Sequence, residues 1–387
     1  MNHRFLADAL ITRRTTLKAL AGLSAAALAG CEKSSATAPG EMYLSAQGRD
    51  DAHFALSWIN QQHNAASVLS GFRGHGAAQH PLEPWRVVMY SRHPGIYAME
   101  VDIRSGQITH RIESPEGHCM HGHGAFSADG LWMYSTESDY RSGEGKILVR
   151  DSRNYQLAGE FSTHGMGPHQ MLMMPDQRTL VIANGGLRTH PDAGGAILNL
   201  DTMDSSLVYI DSASGELTGQ YRLDENKASI RHLDVAADGT VAVATQVQRS
   251  AMTDNHLVFL AALHKPGSGA LMPLHAPDSL MSKFNDYMGS VAISQHERIA
   301  GFTSPRGNLA AFWHLDSGEL AGFHAFHDVC GLTTAEQGRY FVLSNSAGEV
   351  RYINALSLQE ERNRRQQFAG MHWDNHMFTF NIRDLNA

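Results

Sequence analysis

Six segments of the chain can be laid over one another, and this repeat limits the fold more than any other feature. They are RGHGAAQHPLEPWRVVMYSR (73–92), HGHGAFSADGLWMYSTE (121–137), GPHQMLMMPDQRTLVIANGG (167–186), IRHLDVAADGTVAVATQ (230–246), GSVAISQHERIAGFTS (289–304) and VCGLTTAEQGRYFVLSN (329–345). Each has a small or polar start, a short apolar strand, a polar turn and a second strand. A third and a fourth strand usually follow, as in GNLAAFWHLDSGELAGF, where DSGEL is a hairpin signal. From His75 to His123 is 48 residues, to His169 a further 46, to His232 63, to Ser290 58 and to Cys330 40. A period of roughly 40–50 residues with four short strands per unit is a propeller signature, and the two longer intervals require loop insertions. A seventh unit assembles from both ends, MHWDNHMFTFNI (371–382) with HFALSWIN and SVLSGF near the start. Closing the ring this way removes the open edge of an unclosed sheet. The expected fold is all-β, a seven-bladed β-propeller over residues 42–387, with one short helix near Asp278–Tyr287.

In a propeller the first strand of each blade lines the central channel, so the starts of all seven first strands converge on one axis. Here those starts carry His75, His121 and His123, His169, His232, Cys330 and His376, and only the fifth blade offers an unsuited residue, Ser290. Neutral imidazole binds Zn, Cu, Fe or Ni, and thiolate neighbours favour softer ions. The set reads as candidate ligands of a transition metal, iron or copper ranked ahead of zinc. Gly74, Gly76, Gly122 and Gly124 flank these histidines and let the backbones crowd. The register is uneven. His123 and His232 stand six residues before Asp129 and Asp238, but His169 stands seven before Asp176. A one-residue shift turns a strand side chain to the other face, so a common direction requires a bulge or a longer turn.

Arg92, His190 and Arg306 fall in loops between second and third strands, and Arg231 precedes His232. These are candidate ligand-binding residues: they hold an anion such as a carboxylate, or pair with local Asp and Glu. Cys119 and Cys330 sit in blades three steps apart, whereas a disulfide needs Cα atoms within about 7 Å, so they are expected to be unpaired. Met120, Met171, Met173 and Met174 read as core filling.

The N-terminus is a targeting segment. Thr12-Arg13-Arg14-Thr15-Thr16-Leu17-Lys18 resembles a twin-arginine export signature, departing from it at Thr16. The apolar run to Gly30 is shorter than the roughly 20 residues of a membrane span. Leu28-Ala29-Gly30-Cys31 matches a lipobox, which places a signal peptide at 1–30, lipidation at Cys31 and a tether at 31–41. Glu32, in place of Asp, favours the outer membrane, facing the periplasm. Without residues 1–30 the chain holds 27 Lys/Arg and 38 Asp/Glu, a net charge of −11 with neutral histidines. With no basic stripe, that argues against nucleic acid.

No HExxH, GxSxG, phosphate loop or CxxCH is present. The runs HGAFSADG, GMGPHQMLMMPD, LVIANGGLRTHPDAG, SIRHLDV, TSPRG and HWDNH resemble a bacterial family catalogued as domain of unknown function 1513. The resemblance implies an exported seven-bladed propeller. It also implies partners among imelysin-type and di-haem peroxidase-like envelope proteins in iron-acquisition gene clusters. His169, His190, Arg306 and His376 fall on its motif positions, while Cys119 and Met120 are less typical of it. The expected function is metal or metal-complex binding in iron or copper handling. One rival is a metal-dependent redox enzyme on the same histidines, with Asp328, Asp374 or Glu137 as acid–base group. The other is a protein-interaction scaffold without metal.

Overall fold

The computed structural model describes residues 40–382 except 49, 51 and 61. The expected signal segment and Cys31 lie outside the described residues. Residues 40–382 form seven four-stranded antiparallel sheets arranged as the blades of a propeller. The first strands of blades one to six are Gly74–Gln79, His118–Phe126, Pro168–Met173, Ala228–Val235, Ser290–Ser294 and Val329–Ala335. Blade seven closes the ring. Its innermost strand, Phe378–Asn381, comes from the C-terminal end and pairs with Glu41–Leu44, and Ala55–Ile59 and Ala65–Leu69 complete the sheet. The strand beginning at Glu41 starts one residue before the expected boundary.

The inner strands are buried on both faces, not one. In blade four, Val241 and Val243 pack towards blade three, and Ala242 and Ala244 pack towards blade five. An alternating strand here serves two blade interfaces, so both sets of side chains are apolar. Each of the seven interfaces holds one apolar cluster. Met120 and Met171 are buried in two of them, and Met173 and Met174 pack against the edges. Fourth strands such as Ala65–Leu69 alternate between exposed and half-buried positions, as an outer rim does.

The long intervals are insertions. Between the second and third strands of blade three lie two short 3-10 turns, Pro191–Ala193 and Leu200–Thr202. Between blades four and five the chain forms Asp278–Met281, one α-helical turn that tightens into a 3-10 turn at Ser282–Phe284. Asn285 then ends it in the left-handed conformation, and Tyr287 bridges Gln246 of blade four. Among the described residues no helix is long and apolar enough to cross a membrane.

Candidate metal centre

Five imidazoles from five blades meet on the axis: His75, His123, His169, His232 and His376. All are buried, none more than 6% exposed. Nine of their ring pairs have centroids 4.4–6.1 Å apart, most of them edge to face.

The backbone device that aims them is a bulge. The ladder slips between Gly74 and Ala77, Met120 and Gly124, Pro168 and Met171, and Ile230 and His232. These are the positions of His75, His121–His123, His169 and Arg231. Each extra residue reverses the side-chain alternation locally, so histidines in different turn registers point the same way. The unequal spacing from the turn aspartates is thereby absorbed. Blade five keeps regular pairing from Ser290, and its hydroxyl lies 3.4 Å from His376 Nδ1. The glycines let the first strands touch. A Cβ on Gly122, which has φ +94°, would stand 2.7 Å from the His75 ring, and one on Gly76 would stand 2.6 Å from His123 Nδ1.

His75 Nε2 lies 3.3 Å from both His169 Nε2 and His376 Nε2. Two nitrogens on a tetrahedral ion with bonds of about 2.0–2.1 Å stand roughly 3.3–3.4 Å apart, so the spacing is that of co-ligands. The ligand atoms of His75, His123 and His169 lie within 4.8 Å of one another, as do those of His75, His232 and His376. His75 Nδ1, His123 Nε2 and His232 Nδ1 are buried without a hydrogen-bond partner. Buried polar nitrogens are normally partnered by protein, water or an ion, so these three could take a further partner. Burial holds the rings of His75, His123, His169 and His232 well below the ordinary imidazole range and brings His376 down to about 4. They are neutral, the form that coordinates metal.

His121 is buried outside this ring. It stacks on His93 at 4.2 Å and contacts the Ser138 hydroxyl at 2.7 Å. Cys119 Sγ lies 3.7 Å from His93 Nδ1, and the three residues form a second group able to hold an ion. Cys330 joins neither group: its thiol donates to the carbonyls of Trp373 (3.4 Å) and Ser344 (3.6 Å). Both cysteines are free and buried, as their blade positions require.

The cluster divides the channel. On the side of the strand starts, a cavity of about 100 Å³ is lined by His75, His169, His232, Arg92, Arg231, His93, Gln246, Tyr287 and Asn375. On the other side, a wider cavity of about 530 Å³ takes residues from all seven first strands, from Ala77 to Phe378, with His123 and His376 at its end. Asp234 lines it, its carboxyl pushed up to about 6 by burial while it accepts from the amides of Val235 and Ile293. Arg306 stacks on Tyr287 at 5.0 Å, near the smaller cavity. His190 stands apart, next to Tyr140, with Nδ1 accepting from the Asp192 amide. The three acidic candidates are engaged: Glu137 with buried Arg150 (3.0 Å), Asp374 with Arg73 (2.9 Å) and Arg92 (3.5 Å), and Asp328 with the Ser346 hydroxyl. Sequence reasoning passed over Tyr287, Gln246 and Asn375. No repeat register marks Tyr287, which reaches the axis on an insertion.

Fold and site together define a propeller with a buried polyhistidine centre across its channel. The chain belongs to the family described as "Protein of unknown function (DUF1513)", whose model matches residues 70–380. The Glu41–Leu69 strands of the closing blade precede that match. No curated protein matches the chain. Among solved structures it is similar to Kuenenia stuttgartiensis hydrazine synthase, with 15% identity and a TM-score of 0.57, over 81% of this chain and 90% of that one. At that identity the likeness concerns the fold alone.

Proposed function

We propose that the five-histidine cluster binds a transition metal ion, or a small metal complex, and that the protein is an exported metal-handling protein. One observation carries the reading: five neutral imidazoles from separate blades converge, His169 and His376 at co-ligand spacing from His75 and every one within reach of a common ion in a triad. Neutral nitrogen donors suit iron(II), copper and zinc, and the proposed iron-acquisition setting favours iron or copper. The twin-arginine-like segment and the lipobox at Cys31 support export and lipidation, with the propeller facing the periplasm from the outer membrane. In that setting imelysin-type and di-haem peroxidase-like proteins are the proposed partners.

The test is elemental analysis of protein produced with its own signal. Wild type is expected to carry or take up about one ion per chain. His123→Ala, His169→Ala and His232→Ala are each expected to lose most of it while remaining folded. A folded wild type that takes up no iron, copper or zinc overturns the reading. Loss of lipid labelling in Cys31→Ser tests the anchor separately.

A further inference from the structure

The smaller cavity carries more positive charge than its surroundings balance. Arg231 lines it half-buried, and its hydrogen-bond partner there is a neutral amide, Gln246 Oε1 at 2.5 Å. Among the described residues no carboxylate lies within ion-pair distance of Arg231 or Arg306. Arg92 shares Asp374 with Arg73, so a single acid serves two arginines. Tyr287, beneath Arg306, takes a hydrogen bond from Asn375 and turns a phenol towards the same space. A half-buried guanidinium without a counter-charge is partly desolvated with nothing to offset it, and a cation bound by neutral histidines next to it adds repulsion. An anion lying between them relieves both.

We infer that this vestibule binds a small oxyanion, a carboxylate or phosphate group, held by Arg231, Arg92, Arg306 and Tyr287 against the open side of the His75–His169–His232 face. This deepens the metal reading and rests on it for one consequence: metal and anion bind cooperatively, the anion supplying charge balance and an oxygen ligand. A cavity of about 100 Å³ takes a few waters or one such group. Arg forks match these oxyanions in geometry as well as charge.

The experiment has two arms. In the first, metal-free protein is titrated calorimetrically with inorganic phosphate and, separately, with oxalate. Binding of either supports the vestibule, and the stronger one names the source chemistry. In the second, cobalt(II) affinity is measured with free metal fixed by a chelator buffer, with and without the better anion. The expected enhancement is on the order of tenfold. Arg231→Gln is expected to abolish anion binding and reduce the enhancement to under about twofold, with anion-free cobalt affinity equal to or above wild type because a repelling charge is gone. Arg306→Gln, on an exposed residue, repeats the test should Arg231→Gln fold poorly. No anion binding by metal-free protein, together with cobalt affinity indifferent to both anions, overturns the inference and leaves the metal reading intact. Failure to bind cobalt or any other metal sinks the metal reading instead, and the first arm then decides the vestibule alone.

Discussion

An imidazole kept neutral by burial has consequences beyond coordination. His93 and His376 are both held to about 4, with burial the first cause, against about 6.5 for an unfolded histidine. Between those values the unfolded chain binds protons that the folded chain refuses. Stability therefore falls as pH drops through about 6.5 towards 4, by up to about 1.4 kcal/mol per pH unit for each such ring. The other four channel histidines shift in the same direction. Chelator-treated protein is expected to lose several degrees of Tm between pH 7 and pH 5 and to change little between pH 7 and pH 8. A flat Tm across the acid interval would contradict the burial assignment. Cys330 gives a second residue-scale prediction. Its thiol serves two carbonyls and lies outside all three groups able to hold an ion. Cys330→Ser should leave metal content unchanged and shift the denaturation midpoint only slightly, whereas loss of metal in that variant would return the cysteine to the ligand set.

At the scale of the element, the first strand is shaped by two demands: it must turn its own histidine to the axis while paired with its second strand, and it must leave room for its neighbours' histidines. Bulges answer the first demand and glycines the second. Adding a methyl at Gly76 or Gly122 drives a Cβ to within 2.7 Å of a neighbouring strand's histidine, and Gly122 already has φ +94°. Gly76→Ala and Gly122→Ala are expected to cost about 1–3 kcal/mol each in denaturant unfolding and to lower metal uptake. Gly159→Ala, where a Cβ meets nothing within 4 Å, is the control expected to stay near wild type. Equal behaviour of all three would remove the crowding argument. The repeat, the four strands per blade and the glycines were legible because each leaves a local signature. The bulges were not, since an extra residue in one strand shows only when its partner strand is paired with it.

For the whole molecule, stability depends on closing the ring. Blade seven takes its innermost strand from the C-terminal end and three strands from the N-terminal side. A chain beginning at Gly40 should keep the circular dichroism and Tm of the protein, because Gly40–Ala387 forms a compact unit by itself. A chain beginning at Arg73 loses those three strands and exposes the edge of Phe378–Asn381 and the apolar faces of blades one and six. It is expected to aggregate, and a soluble monomer with native Tm would refute the role assigned to closure.

Local periodicity by itself determined the propeller, its seven units, its closure from both ends and the axial position of most of the candidate histidines. These follow from which residues recur and how far apart they stand. Tertiary pairing alone decided which side chains meet. It brought His75, His123, His169, His232 and His376 into one cluster, moved His121 beside His93 and Cys119, turned Cys330 onto carbonyls and set Tyr287 among the arginines. The reason is physical: contact between blades depends on the register of strands distant in sequence, and a shift of one residue there reverses a side chain's direction.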